Sequence, residues 1–235
     1  MNIKDAVVLV TGANRGLGRA FAKALLEAGA RKVYAGARDP SSVDLPGAVP
    51  VRVDVSDEGE VAALAEKLSD VNVVVNNAGI AAPSSFLAED GAQKARALLE
   101  TNFFGTLYVS RAFAPVLKRN SGGILVNMLS VVSWINLPTS SGYCASKSAA
   151  WALTNGLRNE LRGQGTRVIG VHAGFIDTDM AKHILLPKLS PEAVAQQLIV
   201  ALEEGAAEEV LADDISRTVK GGLSANPGAY LSPVA

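Results

Sequence analysis

AVVLVTGANRGLGRAFAKALLEAGA, residues Ala6 to Ala30, reads as a strand, a glycine turn and a helix in that order. Ala6 to Val10 is a short apolar run of the kind that fills a parallel strand buried on both faces, and Thr11 and Gly12 interrupt it. From Leu17 the apolar period lengthens. Leu17, Phe21 and Leu25, with Ala20, Ala24 and Ala28, mark one side of a helix, while Arg19, Lys23 and Glu27 mark the other. Gly29 ends it. Gly12, Gly16 and Gly18 therefore fall between the carboxyl end of a strand and the first turn of a helix, where unpaired amides and the positive end of the helix dipole favour a phosphate. Gly12 permits the tight turn, Gly16 lets the backbone approach a pyrophosphate, and Gly18 allows the helix to pack closely on the strand. With 22 glycines in the chain such a spacing arises easily by chance, so the order of strand, turn and helix carries the reading and the spacing alone does not.

The length of 235 residues suits one domain with a full core and leaves little room for a second. Apolar residues make up 49% of the chain but aromatics only 5%, so the core is one of Ala, Val and Leu. Basic and acidic residues nearly balance, 22 against 23, which offers no broad basic surface and argues against nucleic acid as a partner. MNIKDAVVLV at the start lacks the long apolar region and cleavage site of a signal peptide, and no run approaches the roughly 18 apolar residues of a membrane span. The expectation is a soluble, cytoplasmic protein with no membrane partner. The single cysteine, Cys144, rules out an internal disulfide, and with His172 and His183 the only histidines no metal ligand set is expected.

Beyond Ala30 the alternation continues. Arg31 to Gly36 is a second strand, followed by Ala37, Arg38, Asp39 and Pro40. In a Rossmann-type fold the adenosine ribose of a dinucleotide is read here: an acid bonds the 2′-hydroxyl, whereas an arginine accommodates a 2′-phosphate. Arg38 follows the strand directly and Arg15 lies in the glycine turn, so two guanidinium groups are placed to meet one phosphate. NADP is expected over NAD, with Asp39 a turn residue before Pro40. Val49 to Val55 alternates as a third strand, and Ser56 caps a helix from Asp57 to Leu68. Val71 to Val75 is a fourth strand that runs into Asn76, Asn77, Ala78 and Gly79. A long helical stretch from about Asp90 to Arg119 contains Asn102, which read alone is a surface or locally bonded side chain.

Gly123 to Leu129 is the fifth strand and delivers Ser130; the helix beyond carries Tyr143 and Lys147, four apart and on one face. Thr166 to His172 is a sixth strand. Ala173 to Leu189 has little periodicity and the length of a lid, and Ser190 and Pro191 open a helix to about Glu204. Glu209 to Ala212 is a short last strand before a mixed tail from Asp213 to Ala235. This alternation implies an α/β fold: a Rossmann-type, doubly wound, mainly parallel seven-stranded sheet with helices on both faces, one domain over residues 1–235 with a substrate lid at about 174–189.

These residues together resemble the short-chain dehydrogenase/reductase family in its single-domain form, over nearly the whole chain. The resemblance rests on TGANRGLG from Thr11, Asp54 and Val55 after the third strand, the run Asn76 to Gly79, Asn102, Ser130, and Tyr143-Cys-Ala-Ser-Lys147, in that order. It implies that Gly12, Asn14, Arg15, Gly16, Leu17 and Gly18 bind the cofactor, with Arg38 beside its ribose, and that Asp54 and Val55 contact the adenine. It implies further that Asn76, Ala78 and Gly79 support the cofactor and the central sheet, and that Gly174, Ile176 and Thr178 reach it from the lid, Thr178 at the nicotinamide carboxamide or the adjacent phosphate. Asn102, Ser130, Tyr143 and Lys147 would form a catalytic tetrad, with Tyr143 and Lys147 also holding the cofactor and Asn102 holding a water that passes protons to Lys147.

Carbonyl reduction gives such residues plausible work. Hydride on carbon leaves an oxyanion that needs a proton, so an acid must stand beside the oxygen. Tyr143 can be that acid, Lys147 is placed to supply a charge that favours its phenolate, and Ser130 would donate a hydrogen bond to the substrate oxygen. Departures from the family pattern concern the substrate: Ala173 stands where the lid usually begins with proline, and Leu129 replaces a small residue and is expected to narrow the pocket. Trp134 is expected as an aromatic wall, His172 as an ordinary strand-end residue, His183 as an exposed lid residue and Cys144 as a small packed one. Phe175, Ile176, Met180, Ile184, Leu185 and Leu186 make the lid apolar and favour an uncharged substrate. The leading expectation is an NADPH-dependent ketone or aldehyde reductase, reversible as an alcohol dehydrogenase. A reductase of an imine or carrier-bound substrate and an NADP-sensing regulator without turnover stand as alternatives. A homodimer or homotetramer is expected, packed through small and apolar residues such as Ala149, Ala150, Ala152 and Leu153.

Overall fold

Each strand is followed by a helix or crossover that returns the chain to the same edge, so every strand runs one way. The computed structural model describes residues 2–231, which leaves Met1 and the last four residues of the expected tail outside the described residues. The strands are β1 (Val7–Thr11), β2 (Lys32–Ala37), β3 (Val49–Arg52), β4 (Val73–Asn76), β5 (Ile124–Met128), β6 (Arg167–His172) and β7 (Glu209–Leu211). They form one parallel sheet in the order β3-β2-β1-β4-β5-β6-β7. The helices are α1 (Gly16–Glu27), α2 (Glu58–Lys67), α3 (Gly91–Leu99), α4 (Gly105–Arg119), α5 (Ser141–Leu161), α6 (Pro191–Glu204) and α7 (Asp214–Gly221). No helix among the described residues is long and apolar enough to cross a membrane.

Period-two alternation within β1 divides its side chains between two cores. Val8 and Val10 pack with Phe21 and Leu25 of α1 and Leu198 and Leu202 of α6. Val7 and Leu9 pack instead with Val61 of α2, Phe113 and Leu117 of α4, and Leu157 of α5. Both faces of the strand are thus dry, which is why it reads as an unbroken apolar run. Full burial of one such Leu or Phe contributes about 1.5 to 3 kcal/mol. α1 ends as its sequence implies: Gly29 takes a φ of +87°, Ala30 N–H donates to Leu25 O and Gly29 N–H to Leu26 O, a left-handed close that satisfies two free carbonyls.

Several boundaries differ from the sequence expectation, each for a local reason. Asp57, and not Ser56, caps α2 by accepting from Glu60 N–H at 2.9 Å, because Ser56 is held by Asp54 through both its amide and its hydroxyl. β3 stops at Arg52, so Asp54 and Val55 lie in the turn beyond the ladder. The long helical stretch is broken by a π-helical segment, Glu100–Phe104, that sets Asn102 inward between α3 and α4. In the tail, Asp213 caps α7 through Ser216 N–H at 2.7 Å, a helix that the mixed composition concealed.

β1 is the switch point of the sheet, with β2 and β3 to one side and β4 to β7 to the other, so the carboxyl ends of β1 and β4 open a crevice. α1 starts directly over it. A Cβ at Gly18 would collide with the Gly12 carbonyl oxygen and lie 2.5 Å from Asn77 Nδ2. Gly18→Ala is therefore expected to cost about 3 kcal/mol in chemical unfolding, at the upper end for overpacking. Gly163→Ala, where a Cβ meets open space, is expected to be neutral or to stabilise by up to about 1 kcal/mol.

Candidate active site

The crevice begins with the glycine turn. Gly12 and Gly16 have φ of +65° and +53°, a region costly for any side chain, and a Cβ at Gly12 would come within 3.0 Å of Ala78 Cα. The ends of β1 and β4 are stitched together by side chains. Thr11 Oγ1 accepts from the amides of Asn77 and Ala78, each at 3.0 Å, and Asn77 Nδ2 donates to Thr11 O at 3.0 Å and Gly12 O at 3.3 Å. No side chain caps α1, so its first amides stay open toward the crevice among the described residues. Asn14 lies on the far side of the turn and donates to Ser42 Oγ.

Asn76, expected among the cofactor contacts, sends its side chain the other way. It is buried and donates to Ser110 Oγ and Asn127 Oδ1, so it braces α4 and β5 under the sheet. At the outer end of the crevice Arg38 is exposed, and Asp39 turns its carboxylate onto the amide and hydroxyl of Ser41, as a turn residue should. Those bonds hold the Asp39 carboxyl below its usual range, and the Ser56 hydroxyl does the same for Asp54. Arg15 reaches across to Asp179 at 2.8 Å, joining the glycine turn to the 174–189 segment through an exposed ion pair.

Ser130, Tyr143 and Lys147 meet at the carboxyl end of β5. The Ser130 hydroxyl accepts from Val132 N–H and donates to Ala173 O, both at 3.3 Å. It also stands against the Tyr143 phenol. Lys147 is 7% exposed, and its ammonium donates to Met128 O at 2.9 Å and lies 5.9 Å from the centre of the Tyr143 ring. The expected lowering of the Tyr143 pKa does not occur: burial, with the neighbouring Cys144, pushes it up to about 12, against a smaller opposing pull from Ser130. Burial also brings Lys147 down to about 8. Both groups are thus driven toward their neutral forms.

Asn102 joins this group by a different route from the one expected. Its Oδ1 accepts from Ile80 N–H and its Nδ2 donates to Ile80 O and Ser146 Oγ, all at 2.9 Å, so both amide protons and one of the oxygen's two lone pairs are used. Ser146 in turn donates to Tyr143 O. Asn102 is a brace between the loop after β4 and the first turn of α5.

The sheet order, the glycine turn and the serine, tyrosine and lysine together delimit the comparison with known proteins. A family model described as short chain dehydrogenase matches residues 6–188. The chain belongs to the short-chain dehydrogenase family. Its fold matches, with a TM-score of 0.92, the crystal structure of a short chain dehydrogenase from Burkholderia cenocepacia J2315 in complex with NADP, 39% identical, over 99% of this chain and 100% of that one. The short chain dehydrogenase tazN of Aspergillus terreus is 34% identical over 83% of this chain, which spans only 49% of that protein's length. A 3alpha-hydroxysteroid dehydrogenase of Mediterraneibacter gnavus is 30% identical, with 99% of both chains covered.

Within this dehydrogenase frame, two side chains expected at the substrate pocket lie elsewhere. Leu129 is 2% exposed and packs against Gly170 of β6, so it fills core and narrows no pocket. Trp134 is buried with its ring stacked on His172 at 4.0 Å, a layer behind Ser130, and so forms no pocket wall. His172 ends β6 as expected, fully buried, with its Nδ1 3.2 Å from Ser130 O. Cys144 is packed as expected.

The segment after β6 carries its apolar residues outward: Met180, Leu185 and Leu186 are exposed, and a short parallel bridge pairs Ile176 with Leu189 at its base. Thr178 bonds locally to Ile176 O, with its methyl near Gly16. Where a proline would open this segment, Asp213 does the holding: its Oδ2 accepts from Gly174 N–H at 2.6 Å while its Oδ1 caps α7. Only an acid directly before a polar helix start pointed to it in the sequence. Asp213→Ala removes a cap and a charged hydrogen bond together and is expected to lower stability by about 1 to 3 kcal/mol in denaturant titration, with Asp213→Asn intermediate.

Proposed function

We propose that the protein is an NADPH-dependent oxidoreductase that transfers hydride between the nicotinamide and a carbonyl or alcohol, acting as a ketone or aldehyde reductase. The observation that carries this reading is Tyr143 set beside Ser130 with the buried Lys147 ammonium below it, at the same sheet edge as the glycine turn. The fit to a dinucleotide is supported by Gly12, Gly16 and Gly18, whose missing side chains leave a backbone cradle at the uncapped start of α1. The NADP bound to the Burkholderia relative supports the choice of cofactor. In this assignment the residues Gly12 to Gly18 hold the pyrophosphate, Arg38 and Arg15 the 2′-phosphate, Asp54 and Val55 the adenine, and Thr178 with Tyr143 and Lys147 the nicotinamide end.

The cofactor supplies the hydride. Tyr143 supplies the proton: its raised pKa keeps the phenol intact at neutral pH, ready to protonate the substrate oxygen as charge develops there. Ser130 donates a hydrogen bond to the same oxygen. The Lys147 ammonium stabilises the phenolate that Tyr143 becomes, so its charge is needed in the reducing direction. The segment after β6 is rich in apolar residues, Met180, Leu185 and Leu186 among them, which suits an uncharged substrate, and the hydroxysteroid in the name of one relative supports the same class.

Tyr143→Phe keeps the ring but removes the proton, so carbonyl reduction should fall by about 10² to 10⁴-fold while NADPH affinity is little changed. A folded Tyr143→Phe protein with wild-type turnover on any accepted carbonyl would remove the assignment. In the same assays the pH profile has a defined sign. Lys147, with its pKa lowered to about 8, loses its charge as pH rises through that value, so kcat/KM for reduction should be level below it and decline above.

Cofactor choice is tested separately by titrating NADPH and NADH into wild type and Arg38→Ala. One charge-assisted contact to the 2′-phosphate gives about tenfold or greater preference for NADPH, which Arg38→Ala should reduce without weakening NADH. Equal wild-type affinities would overturn the NADP assignment alone.

A further inference from the structure

Behind Ser130 lies a polar cluster with no part in the steps above. His172 ends β6 and is fully buried, one face stacked on Trp134 at an interplanar angle of 16°. Its Nδ1 is 3.2 Å from the backbone oxygen of Ser130. A carbonyl can only accept, so Nδ1 carries the proton. Its Nε2 has no hydrogen-bond partner among the described residues and faces Glu209 Oε1 of β7 at 3.8 Å, beyond hydrogen-bond reach. The Glu209 carboxylate is engaged instead by Lys220 of α7, whose ammonium also lies 5.7 Å over the Trp134 ring. Trp151 meets Trp134 edge-on at 6.4 Å and closes the cluster on the α5 side.

The bond to His172 falls at a gap in the sheet ladder. Past the end of β5, Leu129 N–H donates to Val171 O and Val131 N–H to Ala173 O, which ties the residues on either side of the serine to β6. The carbonyl of Ser130 accepts from Ser133 N–H at 3.0 Å within the turn after β5, and the imidazole adds a second donor at its other lone pair. Rotation of that peptide would disturb the seat of the serine hydroxyl, and it is resisted by the Val131 and Ser133 amides together with the imidazole, the one side-chain donor among them, which is fixed by its stack on Trp134.

We propose that His172 is a positioning residue for Ser130, holding the serine peptide through its Nδ1 proton, and that the Glu209–Lys220 pair keeps the imidazole neutral by drawing the carboxylate charge away from Nε2. The proposal rests on Ser130 acting on the substrate as assigned above. The charged groups facing the ring are Glu209, Lys220, Arg158 and Lys147; burial first, then the three cations, brings His172 down to about 4, against the upward pull of Ser130 O. α7 thereby acts on the serine from the far side of β7.

The test compares kcat, KM and NADPH affinity in wild type, Tyr143→Phe, His172→Phe and His172→Asn. His172→Phe keeps a ring against Trp134 but has no donor, and should lower kcat about three- to tenfold, the size of one hydrogen bond, with NADPH affinity within about twofold of wild type. His172→Asn places an amide N–H near the former Nδ1 and should restore most of the loss, a rescue that simple packing would not produce. A wild-type kcat in His172→Phe, or no rescue by Asn, would overturn the proposal while an inactive Tyr143→Phe leaves the catalytic reading standing. If Tyr143→Phe were fully active the catalytic reading would fail and the proposal with it. A second measurement needs neither activity nor a folded variant: nitrogen NMR of wild-type His172 should show a neutral ring protonated at Nδ1 between about pH 6 and 8. A proton on Nε2 would overturn the proposal. Lys220→Met, by freeing the Glu209 charge, should raise the imidazole pKa; no change would remove the role of the pair.

Discussion

The closeness of the first turn of α1 to the end of β1 is the constraint on which the rest of the carboxyl edge depends. It is possible only because Gly18 has no side chain to meet the Gly12 carbonyl and Asn77. Asn77 then binds the two carbonyls of Thr11 and Gly12, and Thr11 binds the amides of Asn77 and Ala78, so the turn after β1 and the turn after β4 become one rigid piece. A helix start with open amides is held over that piece. The loop after β4 passes the same rigidity on: Ile80 grips Asn102, Asn102 grips Ser146, and Ser146 binds the carbonyl of Tyr143. The glycine turn and the Tyr143 phenol, on distant parts of the chain, are thereby held in one frame.

The second organising feature is dryness. Tyr143 and Lys147 are pushed in opposite directions, to about 12 and about 8, by the same desolvation. A phenol and an amine in water would sit near one another on the pH scale; here the phenol is the weaker acid by a wide margin. Burial thus disfavours charge on both groups, and the Met128 carbonyl fixes the position of the Lys147 amine beneath the Tyr143 ring.

Much of this was legible in the sequence. The alternation of apolar strands and amphipathic helices gave the parallel sheet, and Gly12, Gly16 and Gly18 carried their own geometric reasons. Legibility ended where the outcome depends on which way a side chain turns. Asn76 and Asn77 are adjacent and chemically identical, yet the alternation of a strand sends one to the core and the other to the glycine turn. Asn102 looked like a helix-surface residue because the π-helical segment that turns it inward has no composition of its own. Leu129 and Trp134 lie close to Ser130 along the chain, but Leu129 prolongs the pairing of β5 with β6 and Trp134 closes the 3-10 turn after it, and both side chains are buried in the core. The sign of the Tyr143 shift was missed because burial, which is set by tertiary packing, outweighs the charge four residues along the helix. α7 was hidden by its polar surface, and Asp213 by the brevity of the cap it forms.

α7 also has a consequence for how far this protein can be treated as modular. The match to the family ends at residue 188, and everything after it invites exchange as a variable tail. Yet Asp213 holds Gly174, and Lys220 with Glu209 attends His172, so groups from the last quarter of the chain complete contacts that begin in the first three. A recombinant joining the first 188 residues to another dehydrogenase's tail would inherit an intact glycine turn and tyrosine beside a Gly174 without its strap and an unaccompanied imidazole. Crossover points for such hybrids belong after α7, since a junction before β6 keeps Asp213 with Gly174 but parts His172 and Ala173 from Ser130.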